Sequence, residues 1–283
     1  MTIDPAMHAS FAATADSLYA GLIRTQKADF RFDQEQGLGG RLVYAGELDG
    51  SGCALAVAAN IAGAASLAAS AEFGPQRQAI RNGTIDFLVN NLDEALRILK
   101  NEIRKGETVA VCVAQRPEEV ERAMRELGVL PELLPPGAMD APRFEAFLSQ
   151  GARTVDPVAV EAGQVVLTWS VSVSPAHWLP KLDALANDCV LSFQGLEMGP
   201  ALRWIRLAPR YLGRIVPGVR LLRCGREIAE DFLHRVRKLA ASGRIGVSVE
   251  IGVGSCGQYE QHRFSPPADQ AAKCPIDPAL KSC

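Results

Sequence analysis

The sequence predicts an α/β protein: a parallel-sheet domain with helices on its faces, inserted in or followed by a smaller mixed α/β domain. Three observations carry this. Between residues 41 and 134, short apolar runs alternate with stretches of helical period. The connections between them are short. Glycines stand where the helices should stop, as at Gly106 and Gly128. Together these are the marks of βαβ units, which place strands side by side and parallel.

The elements follow in order. Residues 5–24 read as a helix, with Phe11, Ala15, Leu18, Leu22 and Ile23 close to a 3.6 period. Residues 27–40 are polar and glycine-rich and read as a linker. A strand is expected at 41–45, a glycine turn at 46–52, a small-residue helix at 53–61 and a strand at 64–69. A short helix over 75–81 has Pro75 in its first turn, where the missing N–H costs nothing. Residues 84–89 read as a strand. The helix over 91–104 is the clearest in the chain: Leu92, Ala95, Leu96, Leu99 and Ile103 form one face, and Asp93 and Glu94 suit its first turn. A strand at 108–114, a helix at 117–127 and a strand at 130–134 complete the series.

Prolines at 131, 135, 136 and 142 predict a boundary there. The expected organisation is a helix and linker over 1–40 that belong with the second domain, a sheet domain over 41–135, an α/β domain over 143–253, and an extended or poorly ordered tail over 254–283. Within the second domain the strand candidates are 165–173, 189–193, 202–207, 219–222 and 245–253. The helix candidates are 176–186 and 227–241.

Composition bounds the function classes. The chain has 283 residues, enough for a real core, with 48% hydrophobic and 22% charged residues. A formal net charge of -2 gives no reason to expect nucleic acid. No run approaches the roughly 18 apolar residues of a membrane span. No secretory leader is read at the N-terminus. Seven cysteines, four of them in or beside predicted core elements, fit free thiols in a reducing, cytoplasmic setting.

The most chemical feature is the turn holding Gly46, Gly50, Ser51 and Gly52. A strand followed by glycines and a helix offers backbone N–H groups to a phosphate. The spacing departs from Gly-x-Gly-x-x-Gly, and Glu47 and Asp49 bring negative charge unless they point outward. The plain alternative is a loop that only turns a strand into a helix.

Further residues carry a resemblance. Gly63-Ala64-Ala65-Ser66-Leu67, Ile85-Asp86-Phe87-Leu88-Val89 and Asn91-Leu92-Asp93-Glu94-Ala95-Leu96 run in one order and spacing with Lys105-Gly106-Glu107 and Leu127-Gly128-Val129-Leu130-Pro131-Glu132. This order resembles the NAD-binding, Rossmann-like domain of the urocanase (urocanate hydratase) family. The resemblance implies NAD or NADP at Gly46, Gly50, Ser51 and Gly52. It also implies a ribose contact at Ser70, where the family tends to carry Glu, or at Glu72 two residues on. A neutral Ser70 near Arg77 and Arg81 would favour NADP. In the family, NAD acts as an electrophile on urocanate, in a lyase or hydratase reaction.

The departures imply that this chain is a shortened, divergent relative and not an authentic urocanate hydratase. Where the family has Gln-Thr-Ser-Ala-His-Asp, residues 135–140 read Pro-Pro-Gly-Ala-Met-Asp. Met198-Gly199-Pro200-Ala201-Leu202-Arg203-Trp204-Ile205 is similar to another family stretch, and Arg206 stands where the family has a cysteine. Arg203 and Arg206 are therefore the candidate catalytic residues, within a basic run that continues to Arg226 and could instead be a solvated face. Expected partners are a small molecule or dinucleotide, with a homodimer as the assembly in view and neither nucleic acid nor membrane. A non-enzymatic binding or regulatory protein and an NAD(P) oxidoreductase are the competing readings. The intervals between Cys256, His262, Cys274 and Cys283 do not suggest a metal site. His177 beside Trp178 reads as packing at a loop edge.

Overall fold

The computed structural model describes residues 5–25, 33–193, 198–255 and 258–265, with the side chains of 5–9 left aside. These residues belong to two compact units, residues 1–159 with 196–217, and residues 160–195 with 218–283.

The first unit is built on a six-stranded parallel sheet in the order β3-β4-β2-β1-β5-β6. Its strands are β1 (Leu42–Glu47), β2 (Ala65–Ala69), β3 (Phe87–Val89), β4 (Ala110–Val113), β5 (Leu133–Leu134) and β6 (Arg153–Thr154). Helices α2 (Gly50–Ala62), α3 (Phe73–Asn82), α4 (Leu92–Lys105), α5 (Pro117–Glu126) and α6 (Ala141–Ser149) connect them. β2 and β4 are buried along their whole length, as in parallel strands covered on both faces. This is the Rossmann-like architecture that the alternation of strands and helices predicts. Tyr44, Leu67, Leu99, Val111, Met124 and Phe147 fill the core on one face of the sheet.

The helix ends follow local chemistry. Asn91 caps α4 by accepting from the Glu94 N–H, and Asp93 and Glu94 complement the dipole in its first turn. Gly63, Gly83 and Gly106 stop α2, α3 and α4 in the left-handed conformation that glycine adopts without penalty.

The expected domain limits shift in three places. Helix α1 (Pro5–Arg24) packs on α2 and so belongs with the parallel sheet, not with the second unit. The proline-rich stretch near 131–142 is no boundary, because β6 pairs with β5 beyond it and extends the sheet. Residues 202–207, expected as a strand, lie inside helix α8 (Met198–Leu212), which also belongs to the first unit. Leu202, Ile205, Ala208 and Leu212 are its buried, helically spaced face.

The second unit holds a four-stranded antiparallel sheet, β10-β9-β7-β8. Its strands are β7 (Gln164–Val171), β8 (Val219–Gly225), β9 (Val249–Ser255) and β10 (Gln258–Phe264). Helices α7 (Pro175–Ser192) and α9 (Arg226–Ala241) pack against each other and on β7. Alternate residues of β7 are buried, as a strand with one core face requires. Residues 189–193 are not a strand: Leu179, Leu182, Ala186, Cys189 and Val190 form one helical face, so α7 runs on through Ser192. The expected tail is ordered at its start, where β10 pairs with β9 along its full length. Residues 266–283, with Cys274 and Cys283, lie outside the described residues, as does Cys256.

Candidate functional site

β1 lies between β2 and β5, so the chain leaves it to one side and later returns on the other. A crevice at the carboxyl ends of the strands at such a switch point is where open α/β sheets bind ligands. The turn from β1 into α2 stands at this switch point, and its three glycines have three distinct structural roles.

Gly46 has φ +72 and lies at an irregularity in the β1–β2 register, where Tyr44 pairs with Leu67 and Gly46 with Ala68. It bulges the strand, which runs on to Glu47 paired with Ala69. A Cβ on Gly50 would meet nothing within 4 Å, so the backbone there lies open to an approaching group. A Cβ on Gly52 would lie 1.8 Å from the Glu47 carbonyl oxygen and 2.9 Å from that of Ala45, so this glycine lets α2 rest on the end of β1. An open approach and a close helix–strand contact are two of the three uses of glycine in a dinucleotide-binding turn. The spacing differs from the usual fingerprint, and Gly46 bulges the strand where the fingerprint's first glycine makes the turn.

Ser51 lies in the first turn of α2. Its backbone N–H and that of Gly52 each donate to Asp49 Oδ1 at 2.8 Å. Asp49 thus caps α2 with its side chain, an exposed carboxylate in the positive field of the helix N-terminus. It does not point away from the turn, as a phosphate site would favour. A phosphate over Gly50 would face that carboxylate.

Ser70 and Glu72 end β2 on the same edge of the sheet. Ser70 is fully buried; its hydroxyl accepts from the Glu72 N–H at 3.4 Å, and its carbonyl accepts from Gln76 Nε2 at 2.7 Å. It organises the turn into α3. Glu72 is exposed, and its side chain makes no cap hydrogen bond although it occupies the N-cap of α3. Arg77 and Arg81 line a 290 Å³ depression with Phe73, Ile80 and Leu88, toward β3.

On the other side of β1, the chain beyond β5 closes over the turn. Residues 135–138 turn sharply, with Gly137 at φ +78 and the Ala138 N–H donating to the Pro135 carbonyl at 3.3 Å. This brings Ala138 across β1: a Cβ on Gly46 would lie 3.2 Å from the Ala138 Cβ. Asp140 then caps α6 by accepting from the Arg143 N–H at 3.0 Å.

A polar network beneath this wall is not legible in the sequence. Glu121 on α5 is buried, at 1% exposure. Its Oε1 accepts from the Tyr44 hydroxyl at 3.0 Å and its Oε2 from Arg143 Nη1 at 2.5 Å. Arg143 Nη2 donates in turn to Asp140 Oδ2 at 2.8 Å. Desolvation raises the Glu121 pKa, against the lowering effects of Tyr44 and Arg143. The network ties the middle of β1 to the helix that follows the 135–140 loop. Tyr44 could be placed in a strand and Glu121 on a helix, but their meeting depends on β1 lying next to β5, which no local pattern reveals.

Arg203 and Arg206 do not join the glycine turn. Arg203 is 4% exposed; its Nε donates to the Ile61 carbonyl at 2.6 Å, and its Nη1 to the Gln34 and Glu35 carbonyls at 2.7 and 2.6 Å. It therefore caps the carboxyl end of α2 and ties residues 34–37 to it. Arg206 pairs with the Glu35 carboxylate and donates to the Gln34 carbonyl. α2 has 13 residues, so its two ends are about 20 Å apart. One small reaction centre cannot span that distance. The arginine run is also divided: residues up to Arg214 belong to the first unit, whereas Arg220 pairs with Asp183 in the second.

Cys53 on α2 and Cys112 on β4 both feel Glu47. Burial pushes the Cys53 thiol up to about 11 and the Cys112 thiol up to about 12, so neither is a thiolate at neutral pH. In the second unit His177 meets the Trp178 edge, with ring centroids 5.1 Å apart, and lies 2.8 Å from Lys181 Nζ. Among the described residues, no cluster of three His, Cys, Asp or Glu could hold a metal ion. No described helix is long and apolar enough to cross a membrane.

Comparison with known families adds one finding. Residues 19–136 match the model of the urocanase Rossmann-like domain. The match begins within α1 and ends just beyond β5, so it includes the glycine turn, Ser70, Glu72 and the Tyr44–Glu121 pair. Arg203 and Arg206 fall outside it.

Proposed function

We propose, from the premise that residues 19–136 form a urocanase Rossmann-like domain, that this chain binds NAD in the crevice between β1 and β5. The observation that carries the reading is the division of labour among Gly46, Gly50 and Gly52 at the strand-order switch. The pyrophosphate lies over Gly50 at the N-terminus of α2, where the helix dipole favours negative charge. The Asp49 side chain is exposed, and binding requires it to rotate off the Ser51 and Gly52 N–H groups that it caps. When it does, the Ser51 and Gly52 N–H groups become donors to the ligand.

Glu72 supports NAD over NADP. It follows the glycine turn by about 20 residues, the usual distance to the acid that binds the ribose hydroxyls. Its free carboxylate would repel a 2′-phosphate. Arg77 and Arg81 face the depression beside β3, which leaves the phosphate of NADP without a counter-charge there.

Bound NAD supplies an electron-accepting nicotinamide ring. This chain's own contribution is binding and orientation. Urocanate hydration is not part of the proposal, because Arg203 and Arg206 stabilise the far end of α2 and the thiols of Cys53 and Cys112 stay protonated. The test is a pair of titrations, NAD against NADP, on the full chain and on Glu72→Ala. NAD should bind the unaltered protein more tightly, and Glu72→Ala should narrow the difference. An NADP preference, or no effect of Glu72→Ala, would count against the ribose assignment.

A further inference from the structure

The first unit has a second concave site, on the opposite edge of its sheet. A cleft of 860 Å³ opens where β3 and β4 begin. It is lined by Asp86 and Phe87 from β3 and its approach, Arg97, Ile98 and Asn101 from α4, and Arg210 and Tyr211 from α8, among others. Its size is in the range of small-molecule sites.

The lining's two carboxylates and two arginines balance formally, and Lys105, paired with Glu102, adds one positive charge beside them. The two carboxylates are already engaged: Asp86 Oδ2 accepts from the Ala110 N–H at 2.8 Å, and Glu102 Oε1 accepts from Lys105 Nζ at 2.9 Å. The hydrogen bond with Lys105 lowers the Glu102 pKa, so that acid stays ionised and paired. The two arginines are not so engaged. Among the described residues neither Arg97 nor Arg210 has an ion-pair partner, although the Arg210 guanidinium stands 5.4 Å from the Tyr211 ring centroid. The two come from different helices and converge on one cleft, an arrangement that suits a single anionic head.

The remaining wall is apolar. Phe87 is 48% exposed, a large ring open to solvent at the mouth, and Val109 is buried behind it. Burial raises the Tyr211 pKa, so its hydroxyl is a neutral donor. An anion with a hydrophilic body would leave these surfaces wet.

We infer that this cleft binds a small organic anion with a planar apolar body, its carboxylate or phosphate held by Arg97 and Arg210 and its ring against Phe87. The site shares no residue with the glycine turn and does not depend on a dinucleotide binding there.

The test is calorimetric titration of the full chain with phenyl phosphate, benzoate, inorganic phosphate and benzyl alcohol, repeated with saturating NAD. Phenyl phosphate or benzoate should bind one to one, with and without NAD. Inorganic phosphate and benzyl alcohol should bind far more weakly, each lacking half of the recognition. Arg97→Gln and Arg210→Gln should each weaken the aryl anion about tenfold, the loss of a charged hydrogen bond. Arg104→Gln, an exposed arginine of the same helix outside the cleft, should not. Which of the two aryl anions binds more tightly identifies the head group. The inference fails if neither aryl anion binds at millimolar concentration, if inorganic phosphate binds equally well, if NAD displaces the aryl anion, or if both cleft variants bind as the parent does. Unchanged melting curves for the variants would exclude unfolding as the cause of any loss.

Discussion

Gly52 rests directly on Glu47: any Cβ at position 52 would sit 1.8 Å from the Glu47 carbonyl oxygen. Two positions earlier, Gly50 has no atom within reach of a Cβ. Neighbouring glycines in one turn thus answer different demands, one of packing and one of access.

Their alanine variants should therefore diverge. Gly52→Ala forces α2 off β1 and should cost about 3 kcal/mol or more, at the severe end of overpacking. Gly50→Ala should change stability by less than about 0.5 kcal/mol, as at an unencumbered surface position. Urea denaturation of both variants checks the contrast, and equal losses would mean that the helix–strand contact is misplaced.

Asp49 serves the fold at the expense of the ligand. Asp49→Asn keeps the cap, since Asn caps about as well, but removes the charge facing the phosphate. NAD affinity should rise up to about fivefold, the scale of one charge at an exposed helix terminus. Asp49→Ala frees the same N–H groups but should cost about 1 kcal/mol of stability with the lost cap. Paired titration and melting of the two variants separates charge from capping.

Arg203 should behave as a structural residue. Arg203→Lys keeps the charge but cannot reach the Ile61, Gln34 and Glu35 carbonyls together, and should cost about 2–4 kcal/mol. Arg206→Ala breaks only an exposed pair and should cost less than about 1 kcal/mol. Denaturation of each variant decides this, and full stability in Arg203→Lys would return Arg203 to the list of functional candidates.

The Tyr44–Glu121 pair predicts a pH signature. The folded-state pKa of Glu121 is raised, so its contribution is most favourable when it is protonated and is lost as pH rises through the folded value. Tyr44 partly offsets that loss by donating to the carboxylate. Tyr44→Phe should cost about 1–3 kcal/mol where Glu121 is ionised and less where it is protonated. Denaturation at pH 8 and near pH 4 should show the cost shrinking toward acid; a constant cost would mean that Glu121 does not titrate in contact with Tyr44.

Much of the first unit was legible because its signals are local. Alternating strands and helices, the acidic first turn of α4 at Asp93 and Glu94, and the terminating glycines each depend on a few neighbouring residues. The glycine turn was legible as a position, but its roles were not: that Gly52 abuts Glu47 and Gly50 abuts nothing follows from the angle at which α2 meets β1. Arg203 misled because its place in a family-like stretch suggested chemistry, whereas it is buried by carbonyls supplied by residues 34, 35 and 61. The apolar runs at 189–193 and 202–207 are too short to separate strand from helix by composition. Their true state is set by the faces they bury, and the pairing of β10 with β9 is likewise a long-range fact.

The central claim is that Gly50 keeps a path open for the dinucleotide. Gly50→Val places a side chain in that path from a Cβ that meets no protein atom within 4 Å, so the parent and this variant should melt alike. Titration with NAD should show binding to the parent and at least tenfold weaker binding to Gly50→Val. Equal affinity in the two proteins, or no binding by the parent at millimolar NAD, would contradict the account.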